Sequence, residues 1–454
     1  MEYRDKHILV LGAGTSGIGA AHIAAMLGAH VILNDYASIK LEADIETQLL
    51  NAGVTIITGS QDNNLLCDID QIIVSPGISL SIPILVEARR RHIPIIGEVD
   101  LAYHISKAPI LGVTGTNGKT TTTTLLADIM KAVNPHVYVG GNIGKSLSEA
   151  AYRVPSDGYL IAELSSYQLE SVEEFRAHGA IVLNVTPDHL ARHKTLEAYA
   201  KAKANIFKNQ DNHDYLVLNA DDMIVKAMED EADGIILYIS QKQKVYNGAY
   251  YANGVCYAVS NGIEEAIIDV SHILIPGAHN IENILSVIAL TYALGVTKDI
   301  LYNVISQFSG VEHRLEKVAV IHEVTYYNDS KATNVDSVIK ALQSFTAPVI
   351  LLAGGHDKMT PLHDLMDLIK CKTKALLLMG EAADRFEQSA REAGVLSIYR
   401  VNSMREAVEL GQKLAVPNDV VLLSPACSSF DWYSCFEERG DDFKREVMRL
   451  AQQG

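Results

Sequence analysis

The chain is poor in everything a membrane or secreted protein needs. No apolar stretch among its 454 residues approaches the roughly 20 that span a bilayer, and the first, Ile8 to Leu11, is broken at once by glycine. With the charged start Met1-Glu-Tyr-Arg-Asp-Lys6, that argues against a secretory leader or a membrane anchor. Cysteine is scarce: Cys67, Cys256, Cys371, Cys427 and Cys435 are odd in number and form no C-x-x-C pair, so neither a disulfide framework nor a zinc cluster is supported. A reducing cytoplasm fits this usage. Positive charge is in deficit, 38 Lys and Arg against 55 Asp and Glu, for a net −17. A nucleic-acid surface, which neutralises phosphates with clustered cations, is therefore disfavoured, and any anionic ligand has to be held by local devices. Low-complexity linkers are absent as well.

At roughly 150 residues per domain the length suggests three domains. His7-Ile-Leu-Val-Leu11, Val31-Ile-Leu33, Ile72-Ile-Val74 and Ile95 read as strands, with a helix over 18–27, which predicts a parallel α/β domain over 1–107. The stretch Tyr103-His-Ile-Ser-Lys-Ala108 carries no strong pattern and marks the first boundary. A second α/β block over 108–311 takes its strands from Tyr159 to Ala162, Ile181 to Leu183 and Leu216 to Leu218. Alternating runs such as Gly254 to Ala258 suggest a small antiparallel addition near 240–275. After Gly310 the alternation restarts with strands over 324–327, 349–352, 375–378 and 420–423, giving a third α/β domain over 312–454 closed by a helix over 441–452.

Gly112-Val-Thr-Gly-Thr-Asn-Gly-Lys-Thr-Thr121 follows the apolar Pro109-Ile-Leu111 and opens a helical run over 122–131. A strand feeding a glycine loop and then a helix N-terminus makes a phosphate cradle. Gly115 and Gly118 let backbone N–H groups, with Thr116, Asn117 and Thr121 around them, close on phosphate oxygens; Lys119 reaches the outer phosphates and Thr120 a magnesium ion. The chain is expected to use ATP. Val113 stands where such loops usually carry Gly or Ala.

Gly12-Ala-Gly14-Thr-Ser-Gly17 after a strand, with Asp35 ending the next, fits a dinucleotide fingerprint of the Rossmann type. No hydride-transfer constellation follows it, and the same loop can seat any nucleotide diphosphate. Thr15, Ser16, Gly17 and Asp35, with Ser75 and Gly77 of the turn Ser75-Pro-Gly-Ile78 as a second lip, are candidates for a nucleotide-sugar ligand; NAD is the rival. Glu163 ends the strand Tyr159 to Ala162, so its carboxylate emerges where magnesium is needed. His189 lies in Asn184-Val-Thr-Pro-Asp-His-Leu190; its spacing of four from His193 could suggest zinc, but no third ligand accompanies them.

Together Thr114-Gly-Thr-Asn-Gly-Lys-Thr120, Glu163-Leu-Ser-Ser-Tyr-Gln168, Asp188-His189, Gly277-Ala-His-Asn-Ile-Glu-Asn283 and His313-Arg314 resemble, in order and spacing, the Mur ligase family. Asn328-Asp-Ser-Lys-Ala-Thr-Asn334 and Leu423-Ser-Pro-Ala-Cys-Ser-Ser-Phe-Asp431 look like its glutamate-adding branch. The resemblance implies an ATP-dependent amide ligase taking UDP-N-acetylmuramoyl-L-alanine and D-glutamate in peptidoglycan synthesis, cytoplasmic and monomeric. It implies a Rossmann-like first domain, a central P-loop ATPase-type domain and a Rossmann-like third. ATP contacts would come from Lys119, Thr120, Asn280, Asn283, Arg314 and Asp329, and two magnesium ions would sit near Thr120, Glu163 and His189. A carbamate on a lysine would complete the metal site; Lys203 fits best, and Lys201 remains open. Thr333, Lys358, Ser429 and Phe436 would receive the amino acid, although Thr333 alone could merely cap a helix, and Asn142 would join the nucleotide-sugar set. Ala191 departs from relatives that carry an acid there. Cys427 and Cys435 read as core residues. The rivals are another Mur-type or folylpolyglutamate-type ligase, the dehydrogenase, or a non-catalytic ATP-binding protein.

Overall fold

The computed structural model describes residues 3–452, which form three sheets in two compact units. The first unit, residues 1–270 with 282–305, holds two sheets. One is five-stranded and wholly parallel: β1 (His7–Leu11), β2 (His30–Asp35), β3 (Thr55–Thr58), β4 (Gln71–Val74) and β5 (Ile95–Gly97), in the order β3-β2-β1-β4-β5. β1 and β4 are almost wholly buried, which is why they read as unbroken apolar runs.

The second sheet has nine strands: β6 (Ile110–Thr114), β7 (Val137–Gly141), β8 (Tyr159–Glu163), β9 (Gly179–Val182), β10 (Tyr215–Asn219), β11 (Ile235–Ser240), β12 (Gly248–Ala252), β13 (Val255–Ser260) and β14 (Ile263–Asp269). Their order is β14-β13-β12-β11-β10-β9-β6-β8-β7. The antiparallel addition expected near 240–275 is present as the hairpins β12-β13 and β13-β14, and it extends this sheet through the parallel β11-β12 pair. Between β5 and β6 lies an unanticipated helix, Glu98–Ile105, which runs into the patternless stretch Tyr103–Ala108 and ends inside it. Its first turn buries Glu98 and Asp100, and two buried acids interrupt the apolar periodicity that would have announced it. The carboxylate of Asp100 accepts backbone N–H bonds from Glu174 and Phe175, both at 2.9 Å, so the helix is tied to the second sheet's domain.

The second unit, residues 271–281 with 306–454, holds six strands: β15 (Glu316–Ile321), β16 (Val324–Asn328), β17 (Val349–Gly354), β18 (Thr373–Met379), β19 (Ile398–Arg400) and β20 (Val420–Leu423). The order is β15-β16-β20-β17-β18-β19, parallel except for the β15-β16 hairpin. Apolar clusters cover both faces of β17, β18 and β20. The closing helix is longer than expected, Phe436–Ala451, because Cys435 caps it with a sulfur that accepts from Glu438 N–H at 3.5 Å. Cys435 is thus half-buried in a cap rather than in the core, whereas Cys427 is buried.

Candidate active site

β6 lies between β9 and β8, the position in an α/β sheet where neighbouring connections diverge and leave a crevice at the carboxyl edge. The loop Gly115–Gly118 crosses that edge, and the helix after it begins at Lys119, a turn earlier than expected. Gly118 has φ +88°, and a Cβ there would stand 2.2 Å from Asn283 Oδ1, so conformation and space both require glycine. Asn184, just past β9, holds the loop from the side: its Oδ1 accepts from Asn117 N–H (2.9 Å) and its Nδ2 donates to the Asn117 carbonyl (3.2 Å). The Thr116 hydroxyl donates to the Thr186 carbonyl (3.2 Å) and accepts from its N–H (3.0 Å). Sequence reasoning missed these two clamps; their only signal was proximity to His189. Thr120 and Thr121 are buried in the first helical turn, and Lys119 Nζ donates to the Gly115 and Thr116 carbonyls, each at 2.9 Å.

Lys203 is only 1% exposed, and its Nζ donates at 2.7 Å to the Gly115 carbonyl that Lys119 also reaches. Burial, reinforced by the Lys119 charge, holds its pKa well below the ordinary lysine value. Lys201, two residues away on the helix Leu196–Ala204 and so facing nearly the opposite direction, is exposed. Glu163 at the end of β8 is buried; Oε1 accepts from Asn142 Nδ2 at 2.8 Å, and Oε2 has no protein partner. His189 sits at φ +52° with its ring half exposed, Nδ1 3.4 Å from the Tyr167 hydroxyl. His193 faces elsewhere, buried between Ser166 Oγ (3.0 Å) and Glu170 Oε1 (3.1 Å). Among the described residues no three His, Cys, Asp or Glu side chains form a group that could hold a metal ion by themselves.

In the first sheet the order reverses between β1 and β4, and the Gly12 and Ser75 loops leave those two strands. Thr15 and Ser16 in the first turn of the helix Thr15–Met26, Ser75 on the other loop and Asn142 from beyond β7 line one cavity of about 320 Å³. Gly17 allows the helix to approach, since a Cβ would fall 1.8 Å from the Gly12 carbonyl oxygen. Asp35 lines a second cavity of about 530 Å³, but its oxygens already accept from Ala13 and Ala37 N–H, both at 2.9 Å, so the carboxylate shapes the loop as well. Gly77 (φ +95°) makes the turn after β4, and Arg192 donates to the Ile78 carbonyl (3.0 Å) while paired with Glu170 (2.8 Å). Arg192 was not anticipated.

In the second unit Asp329 follows β16, buried, accepting from Ser424 Oγ (2.6 Å) and Leu315 N–H (3.2 Å). Burial pushes its pKa up to about 7, against these hydrogen bonds and the Arg314 charge. Asn280 Nδ2 donates to the Pro276 carbonyl (2.7 Å) in the first turn of the helix Ala278–Ala293; Asn283, one turn on, belongs to the first unit. Thr333, Lys358 and Ser429 follow β16, β17 and β20, which are neighbours in the sheet. Lys358 Nζ donates to the Thr333 carbonyl (3.1 Å). Asn334 itself caps the helix Val335–Gln343, so capping does not account for Thr333. Phe436 opens the last helix with Lys331 Nζ 4.3 Å from its ring centroid; Lys331 had no sequence signal beyond its motif.

A clamped glycine loop at a strand–helix junction, with a buried lysine beneath it and an acid on the next strand, defines a phosphate-loop nucleotide-binding protein of the α/β class. Family models match along the chain: the MurD-like N-terminal domain of Mur ligases over 6–97, the Mur ligase middle domain over 113–291 and the Mur ligase glutamate ligase domain over 313–427. The chain belongs to the Mur ligase family. It is 41% identical, over the whole of both chains, to UDP-N-acetylmuramoylalanine--D-glutamate ligase of Caldanaerobacter subterraneus subsp. tengcongensis. To the enzyme of that name from Clostridioides difficile it is 40% identical, over 99% of this chain and 100% of the other. Among solved structures, UDP-N-acetylmuramate-alanine ligase MurC from Thermotoga maritima matches 99% of this chain and 100% of its own at 20% identity and TM-score 0.60. MurF from Acinetobacter baumannii matches 91% of both at 15% identity and TM-score 0.62. At those identities the two share the fold.

Proposed function

We propose that this chain is an ATP-dependent amide ligase that adds D-glutamate to UDP-N-acetylmuramoyl-L-alanine in peptidoglycan precursor synthesis, working as a monomer in the cytoplasm. The observation that carries the chemistry is the carboxylate of Glu163. One oxygen is held by Asn142, which lines the Thr15 and Ser16 cavity, and the other is buried without a protein partner on the strand beside the phosphate loop. That group stands between a cavity suited to the nucleotide-sugar and a loop suited to ATP. The choice of D-glutamate follows the relatives that are similar over the full length and are named for it.

In this reading the L-alanyl carboxylate attacks the γ-phosphorus of ATP, the bond to ADP breaks, and an acyl phosphate forms. The amine of D-glutamate then attacks the acyl carbon, phosphate leaves, and the nitrogen gives up a proton. The loop amides and Lys119 hold the phosphates and neutralise charge. Asn280 and Asn283 suit the adenine side, and Arg314 and Asp329 complete the ATP set. Thr15, Ser16, Gly17, Asp35, Ser75, Gly77 and Asn142 receive the nucleotide-sugar; Thr333, Lys358, Ser429 and Phe436 receive the amino acid.

Magnesium fits the donors: Thr120, the unpartnered oxygen of Glu163 and His189 are too few for a protein cage and leave room for phosphate and water oxygens, as this ion prefers. Bound there, it would offset the charge of the migrating phosphoryl group. Lys203 suits a carbamate, because a buried amine with a depressed pKa is available neutral to attack carbon dioxide, losing one proton. The negative group so formed would face Lys119. The test is phosphate release from ATP with UDP-N-acetylmuramoyl-L-alanine and a panel of amino acids. Release is expected with D-glutamate; equal release with L-glutamate or L-alanine would overturn the assignment.

A further inference from the structure

Among the described residues Arg439 is the largest fully buried side chain, 1% exposed, and the reading above gives it no part. Every hydrogen bond it donates goes to a neutral oxygen: Nε to Ser330 Oγ (2.9 Å), Nη2 to the Ser330 and Cys427 carbonyls (2.8 and 3.1 Å), and Nη1 to the Ser428 carbonyl (3.2 Å). Among the described residues no aspartate or glutamate forms an ion pair with it; Asp431 acts on it only through space. The nearby Cys427 thiol is neutral, its pKa pushed up to about 12 by burial. Burial pulls the guanidinium down to about 10, so it remains charged at neutral pH. A buried cation without a counter-ion is costly, and it persists where something else is gained.

What is gained is visible in what its contacts carry. Ser330 lies three residues before Thr333, and Ser428 directly precedes Ser429. Gly355, where a Cβ would stand 3.1 Å from Nη1, lies three residues before Lys358. Phe436 is one turn earlier on Arg439's own helix, and its carbonyl accepts from Ser330 Oγ at 2.8 Å. Thr333, Ser429 and Phe436 are thus tied to this side chain through three residues of backbone or fewer, and the loop carrying Lys358 packs beside it at Gly355 and is held to the same Ser428 carbonyl by His356 N–H at 2.9 Å.

We propose that Arg439 is the positioning residue of the amino-acid site: it bonds the loops after β16 and β20 to each other, holds the loop after β17 through their shared Ser428 carbonyl, and keeps beneath them a positive charge that an incoming dicarboxylate neutralises. This rests on the assignment of Thr333, Lys358, Ser429 and Phe436 to D-glutamate. Lysine at this position keeps the charge but not the fork that bonds two loops and packs beside a third; methionine keeps the bulk and neither.

The experiment is steady-state kinetics of R439K and R439M with each substrate varied in turn, beside thermal unfolding with and without D-glutamate. In R439K the KM for D-glutamate should rise about tenfold or more, the loss of one or two charge-assisted hydrogen bonds. KM for ATP and the nucleotide-sugar should stay within about twofold. In R439M, if it folds, D-glutamate should no longer raise the unfolding temperature, while D-glutamate should still do so in wild type. If R439M does not fold, R439K alone decides. Unchanged KM for D-glutamate in R439K, or equal rises for all three substrates, would overturn the proposal, the second outcome marking a purely structural residue. K358A serves as the control on the underlying assignment: if it too leaves D-glutamate alone, the amino-acid site lies elsewhere; if it alone disturbs D-glutamate, the site stands and Arg439 has no part in it.

Discussion

The phosphate loop and the loop cluster of the last sheet are built on the same plan and stabilised by opposite means. Both stand at the carboxyl edge of parallel strands where the strand order turns, β6 between β9 and β8 in one case and β20 between β16 and β17 in the other. The phosphate loop is one contiguous segment whose own glycines make the shape, with Asn184 and Thr186 as side supports. The cluster is three segments more than 90 residues apart in sequence at their extremes, from Asp329 to Ser429; the buried Arg439 joins the first to the last, and His356 N–H ties the middle one to the Ser428 carbonyl. The first is made largely of one segment's backbone; the second is assembled from residues that follow separate strands.

If the first half of that comparison is right, the largest effects belong to the two lysines that share the Gly115 carbonyl. Lys203→Ala should be nearly inactive and partly rescued by a short added carboxylate, which replaces the oxygens of a carbamate. Full activity, or no rescue together with equal loss in Lys201→Ala, would refute a carbamate on Lys203. Lys119→Ala should lower turnover by about a hundredfold or more, as removal of one preorganised electrostatic group does. Near-full phosphate release by that variant would move the ATP site away from the loop.

The second half is probed by Lys358→Ala, which should raise KM for D-glutamate by about ten- to a hundredfold, the equivalent of roughly 1.5–3 kcal/mol for a charge-assisted hydrogen bond. KM for the nucleotide-sugar should hardly change, since its candidate contacts belong to the Thr15, Ser75 and Asn142 cavity. The reverse pattern would give the last sheet the wrong ligand.

How far the sequence foretold these sites follows the same division. The strands were legible because buried parallel strands are unbroken apolar runs, as in β1, β6 and β20. The phosphate loop was legible because its chemistry is local. The choice between Lys203 and Lys201 needed the helix to be packed, when one amine becomes buried and the other exposed. Arg439, Asn184 and Arg192 were invisible because each acts on residues distant in sequence, and an arginine in Phe436-Glu-Glu-Arg-Gly440 looks like an ordinary charged helix position. Helix Glu98–Ile105 was hidden for a related reason: its buried faces carry carboxylates.

Glu98 supplies the smallest expected effect, on stability rather than turnover. Its Oε1 accepts from Ser148 N–H (2.8 Å) and Ser148 Oγ (3.0 Å) at the start of the helix Leu147–Arg153. Even so, burial raises its pKa from 4.5 to about 7. A carboxyl whose pKa is higher when folded than when unfolded binds its proton more tightly in the native state. Its contribution is therefore fully present below pH 4.5, falls as pH rises toward about 7 while the unfolded chain alone ionises, and is flat above that. The loss across this window should be up to about 3 kcal/mol. Asp329, also raised to about 7, slopes the same way, so the wild-type curve alone cannot assign the effect. The readout is the difference between wild type and Glu98→Gln, which keeps an acceptor for Ser148 and cannot ionise. Urea midpoints measured from about pH 5 to about pH 8 should show the variant gaining on wild type as pH rises. Parallel curves would mean that Glu98 titrates alike in the folded and unfolded chain.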